Sequence, residues 1–173
     1  MNLRIARLNA IGKKDNIQAE IKKFLRDTKK VVYGVRSINA QADILTRDTI
    51  DWDVYSNAPR TSANELQRKL DRVVKGNFFY HKPAKHKGTW KVKTIGDDLL
   101  KDTQDDEEVA DFSTPEKKYK YETINGIRYR VLKEEINAKK RSLADKEMEF
   151  RHKKDKGDLD RIQANLKIRR LLR

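Results

Sequence analysis

Apolar residues recur at helical spacing between positions 15 and 28, where Ile17, Ile21, Phe24 and Leu25 share one face and Asp15 is placed to cap it, so this stretch is predicted to be a helix. Val31-Val32-Tyr33 then reads as a short strand ending at Gly34, and the segment from Val35 to about Leu45 returns to helix. A second strand is expected over 50–55, closed by Ser56-Asn57-Ala58-Pro59. A helix follows from about Ser62 to Val74, with Ala63, Leu66, Leu70 and Val73 at helical spacing and Gly76 as its stop.

Beyond Gly76 the period changes. Residues 77–82 and 89–94 carry aromatic and β-branched side chains, with Pro83 to Gly88 as a connecting loop. Residues 96–107 are polar and acidic, a surface loop or short helix, and Val109-Ala110-Asp111-Phe112 is another short apolar run. Two alternating segments, 119–124 and 127–132, flank Asn125-Gly126, a pair that tolerates the positive φ of a type I′ hairpin turn. Two helices are expected after it, over 133–151 with Ile136, Leu143 and Phe150 as the apolar stripe, and over 155–172 with Leu159, Ile162 and Leu166. The pattern predicts an α/β (α+β) chain: a small mixed sheet with flanking helices, then a β-hairpin and a C-terminal helical pair. Residues 1–115 form the expected core, and 116–173 the hairpin and helical region packed on it.

Composition adds a strong electrostatic signal. The 173 residues carry 41 Lys and Arg against 27 Asp and Glu, a formal net charge of +14. Residues 1–96 contribute a net +12, residues 97–116 a net −8 and residues 117–173 a net +10. Two basic bodies flanking an acidic segment favour polyanionic partners, nucleic acid or nucleoside triphosphates. The plain alternative is a lysine-rich surface that keeps the protein soluble. The absence of cysteine excludes disulfides and thiolate-bound zinc. No apolar run reaches the length of a membrane span and no apolar signal core opens the chain, so a cytoplasmic protein is expected.

The candidate chemistry centres on Asp51-Trp52-Asp53. On a strand the two carboxylates project the same way while Trp52 packs behind them. Neighbouring carboxylates repel, and a divalent metal is the simplest remedy; the plain alternative is a solvated pair. Asp111 is the further acidic residue flanked by apolar ones, with Glu107 and Glu108 as rivals in the loop before it. Gly34 marks a strand-to-helix turn whose backbone amides suit phosphate, or is simply a steric necessity of that turn. Arg36, Ser37 and Arg47 lie close by, to contact nucleotide or to form ordinary surface pairs. Trp90, Phe78, Phe79 and Tyr80 are expected to pack in the core rather than stack on a base. His81, His86 and His152 are too scattered to form a metal set.

In order along the chain, Val32-Tyr33-Gly34-Val35-Arg36-Ser37, Arg47-Asp48-Thr49-Ile50-Asp51-Trp52-Asp53 and Val109-Ala110-Asp111-Phe112 resemble the motifs of the polymerase-β-like nucleotidyltransferases. The AbiEii-type branch, which includes toxins of toxin–antitoxin pairs, is the nearest likeness. Lys139 or Lys140, Arg151 and Lys154-Asp155-Lys156-Gly157-Asp158 look like that branch's C-terminal motifs, so the likeness runs over roughly residues 17–165. The resemblance implies two magnesium ions on Asp51, Asp53 and Asp111, and a nucleoside triphosphate bound by Gly34, Arg36, Ser37, Lys139 and Lys140. It implies transfer of a nucleoside monophosphate to a hydroxyl acceptor, RNA such as tRNA before DNA, and an antitoxin-like protein partner. Val35 departs from the family's second Gly or Ser. That departure keeps open a non-catalytic nucleic-acid-binding or structural protein, for example a viral one, on the same fold.

Overall fold

The computed structural model describes residues 14–42, 49, 51–95 and 106–172. Arg47, Asp48, Ile50, the expected end of the second helix at 43–45 and the acidic stretch 96–105 lie outside them.

Helix α1 (Lys14–Thr28) buries Ile21, Phe24 and Leu25 completely, as its spacing predicts. It stops where Lys29 turns left-handed at φ 54°, with the Thr28 hydroxyl returning to the Phe24 carbonyl. Strand β1 (Val31–Tyr33) leads through Gly34 into α2 (Val35–Gln41), and β2 (Trp52–Tyr55) follows. Helix α3 (Pro59–Val74) begins three residues before the expected Ser62. Pro59 is preorganised for the first helical position, and the Ser56 hydroxyl accepts the Ala58 amide in front of it. Lys75, not Gly76, takes the left-handed position that ends α3.

Strands β3 (Phe79–Pro83), β4 (Thr89–Thr94) and β5 (Glu108–Ser113) form an antiparallel run, and β6 (Tyr121–Ile124) and β7 (Ile127–Arg130) form the expected hairpin. Asn125 and Gly126 both have positive φ, 51° and 78°, as a type I′ turn requires. All seven strands join one mixed sheet in the order β3-β4-β5-β2-β1-β7-β6. The hairpin is therefore part of the sheet, with β7 parallel to β1.

Strand alternation sorts the two faces. Val32, Trp52, Val54, Val92, Ala110, Phe112, Ile127 and Tyr129 point to one side and meet Phe24, Leu66 and Leu70 from α1 and α3. Phe24 packs edge-on against Phe112, with centroids 6.0 Å apart, and the Trp52 indole donates to Gln18. Phe79 and Tyr80 are buried, and Phe78 and Trp90 pack against this core, so these aromatics are structural. Tyr33, Asp53, Tyr55, Lys91, Asp111 and Arg130 belong to the opposite register.

The C-terminal helices break earlier than expected. Helix α4 (Leu132–Ala144) ends at Asp145, a single 3-10 turn spans Lys146–Met148, and α5 runs unbroken over Glu149–Leu171. Asp145 adopts an extended backbone and its carboxylate accepts the Glu147 amide. His152 reaches back to the carbonyls of Ser142 and Asp145. Phe150, expected on a buried stripe, falls beyond the break and is exposed. Ile162 of α5 packs with Ile38 and Ala42, at the end of α2.

Candidate active site

The turn at Gly34 and the tip of β2 make one unit. Tyr33 pairs with Asp53 across β1 and β2, and Gly34, the next residue, has φ +72° and ψ −148°. A Cβ built on Gly34 would collide with the Asp53 carboxylate, so only glycine satisfies both the conformation and the space. On the other side of β2, Asp53 is the direct register partner of Asp111 in the parallel strand β5. Two carboxylates that the sequence places 58 positions apart thus become neighbours on one face, beneath the glycine turn.

Asp51 lies just before β2 and accepts the Thr49 hydroxyl. Arg36 fixes this approach, donating to the carbonyls of Thr49 (2.9 Å) and Asp51 (3.0 Å) while its guanidinium lies 4.2 Å from the centre of the Trp52 ring. Arg36 therefore shapes the segment that presents Asp51. Burial, and next the charge of Asp51, push the Asp53 carboxyl up to about 6, with Lys154 and Arg151 of α5 opposing. Burial and the neighbouring Glu108 push Asp111 up to about 8. Lys91 of β4 faces Asp111 at 3.3 Å and also hydrogen-bonds Glu108. The second Asp111 oxygen, Oδ1, is buried without a hydrogen-bond partner.

The remaining residues singled out in the sequence take different places. Ser37 is fully buried, and its hydroxyl donates to the Arg130 carbonyl at 2.6 Å. Lys139 is buried between Asp155 (3.0 Å) and Asp158 (2.7 Å), whereas Lys140 is exposed. Val35 is buried too, with its side chain packed in the interior. The Gly34 amide donates to Glu135 Oε1 at 2.9 Å.

Glu135 and Arg130 had no signal in the sequence beyond their charge. Glu135 is 1% exposed and forms a two-pronged pair with Arg130, at 2.9 and 2.5 Å. Arg130 also donates to the Tyr55 hydroxyl at 2.6 Å and lies against the rings of Tyr33, Tyr55 and Tyr119, which stack in sequence at 4.1 and 4.8 Å. The whole block braces the glycine turn from the hairpin and α4.

An all-oxygen set with an unpartnered carboxylate oxygen and two carboxyls pushed upward suits a hard divalent cation. Among the described residues no three His, Cys, Asp or Glu side chains are gathered closely enough to form a ready metal cage.

A seven-stranded mixed sheet with helices on its apolar face and a C-terminal helical pair is consistent with a nucleotidyltransferase fold. In particular, the chain is similar in fold to the Megavirus polyadenylate synthase, with a TM-score of 0.70 and 22% identity over 90% of this chain and 32% of that one. It therefore spans about a third of that protein's length. JHP933 from Helicobacter pylori matches with a TM-score of 0.47 and 17% identity, over 81% of this chain and 59% of that one. No protein-family model and no curated protein matches the sequence. Among the described residues no helix is long and apolar enough to cross a membrane.

Proposed function

We propose that the protein is a magnesium-dependent nucleotidyltransferase that moves a nucleoside monophosphate from a triphosphate to a hydroxyl of RNA. The observation that carries this reading is the register pairing of Asp53 with Asp111 directly beneath Gly34, with Asp51 near enough for its charge to act on Asp53. Asp51, Asp53 and Asp111 would hold the metal, which when bound neutralises charge on the triphosphate and makes the acceptor hydroxyl more acidic. The acceptor oxygen forms a bond to the α-phosphorus, the bond to the β-phosphate bridge breaks, and pyrophosphate leaves. Asp111, on the strand beyond Asp53, would take the acceptor's proton.

The triphosphate's charge is met from α5. Lys154 and Arg151 are cations whose field reaches Asp53, Arg151 also lying 3.7 Å from Asp155, whereas Lys139 is committed to Asp155 and Asp158. Lys140, exposed on α4, is available to the outer phosphates. The similarity to a polyadenylate synthase favours an RNA end as acceptor, and the basic surface fits it.

One observation favours the non-catalytic alternative: the Gly34 amide and the Ser37 hydroxyl are both spent on internal partners. A direct assay separates the two. Incubation with α-labelled triphosphates, an RNA oligonucleotide and Mg²⁺ should label the RNA. The pair Asp51→Ala and Asp53→Ala should reduce labelling about 10³-fold or more, since metal stabilisation supplies several kcal/mol of the barrier. Persistent labelling in that variant would overturn the assignment of the site. Absence of any Mg²⁺-dependent triphosphate binding by calorimetry would favour the binding protein. Growth arrest on expression alone, relieved by a second protein, would place the chain with the AbiEii-type toxins.

A further inference from the structure

Lys91 is the cation set directly into the carboxylate cluster. It is paired in register with Asp111 across β4 and β5, and Asp111 is paired in turn with Asp53 across β5 and β2. Its ammonium lies 3.3 Å from Asp111 Oδ2 and also hydrogen-bonds Glu108, whose carboxyl is itself a close neighbour of Asp111. The Lys91 side chain is only 27% exposed and that of Asp111 15%. Asp111 is therefore divided: one oxygen faces an ammonium and the other, Oδ1, is buried and bare.

We propose that Lys91 is a resident counter-ion that shares Asp111 with the divalent cation and thereby sets how tightly that cation binds. The inference rests on the metal-dependent reading of the site. In the metal-free protein the ammonium offsets part of the repulsion among Asp111, Glu108 and Asp53 and lets the strands close. A cation arriving at Asp111 meets a carboxylate whose charge is already partly compensated, with a positive charge a few ångströms away. Both effects weaken binding. Tight binding then awaits the triphosphate, whose own negative charge tips the balance, so that metal and nucleotide load together. Lys91 touches no reacting atom in this scheme and acts through Asp111.

Binding of Mn²⁺ by calorimetry, together with melting curves, tests this on the full chain without any turnover. Lys91→Met keeps the length of the stem and removes the charge. It should bind Mn²⁺ about tenfold or more tighter than the native protein in the absence of nucleotide, the scale expected for deleting one adjacent charge in a partly shielded site. Its metal-free melting temperature should fall, and saturating Mn²⁺ should raise it by more than it raises the native protein. Lys91→Arg should keep the native affinity, and combining Lys91→Met with Asp111→Asn should abolish the gain. Where Lys91→Met does not fold, Lys91→Gln provides the same comparison. Unchanged or weaker Mn²⁺ binding in the charge-deleted variant, with binding still lost in Asp53→Asn, would overturn the role of Lys91 and leave the metal site standing. No Mn²⁺ binding by any form, native included, would overturn the metal-dependent reading and this proposal with it.

Discussion

Gly34 shows how much one residue fixes. Its φ of +72° belongs to the region that glycine enters freely, and the space where a side chain would stand is filled by the Asp53 carboxylate. Gly34→Ala should therefore push Asp53 out of register with Asp111. A displacement of about 1 Å in such a site typically costs about 100-fold in rate, so nucleotide transfer should fall at least that far. The circular-dichroism spectrum should stay native, because the turn lies outside the main apolar core. Val35 teaches the converse. As a sequence position it threatens the phosphate approach, yet its side chain turns into the interior. The direction of a side chain at a turn is set by ψ of the residue before it, which no motif records.

Among the elements, the helical pair at the C-terminus departs furthest from its expected boundaries. The break comes at Asp145 because a carboxylate and a histidine satisfy the ends there, while Gly157, a nominal breaker, stays inside α5. A Cβ added at Gly157 would meet nothing within 4 Å. Gly157→Ala should stabilise the protein by about 0.5–1 kcal/mol, read as a higher melting temperature with unchanged activity. The same two helices carry a buried ionic pair. Burial works to raise the Asp155 carboxyl, but the hydrogen bond and charge of Lys139 outweigh it and hold it below the usual range. A lowered carboxyl contributes stability that is complete above its unfolded value and lost as pH falls through the folded one. Melting temperature should therefore drop below about pH 4, and Asp155→Asn should flatten that acid limb. At neutral pH the same variant should be destabilised by about 3 kcal/mol, since it leaves Lys139 with half of its compensation.

Over the whole molecule the excess of basic residues should dominate binding to RNA. Affinity measured by fluorescence anisotropy should fall steeply between about 50 and 200 mM salt, by 10³-fold or more if about six phosphates are neutralised. A salt-independent affinity would argue against a polyanion partner. The elements themselves were legible from periodicity, and the Asn125-Gly126 hairpin from chemistry alone. Asp51, Asp53 and Asp111 stood out because carboxylates interrupt apolar strands. The register pairing of Asp53 with Asp111 was not legible from spacing: the parallel pairings β2 with β5 and β1 with β7 join segments far apart in the chain, and no local signal specifies register between them. Lys91, Arg130 and Glu135 escaped notice for the same reason. A charge on a strand or helix looks solvated until its neighbour across the sheet is known.

The link from the Gly34 amide to Glu135 spans 101 positions of sequence, and β1 stays open on one side until β7 arrives beside it. Closing so long a loop is entropically slow, and contacts of this kind set folding rates. During synthesis, the apolar layer of α1, α3 and the central strands is able to gather first, while the turn waits for residues 127 to 135 to leave the ribosome. The site is thus assembled late, and a chain arrested before that point carries its aspartates without the brace that aligns them.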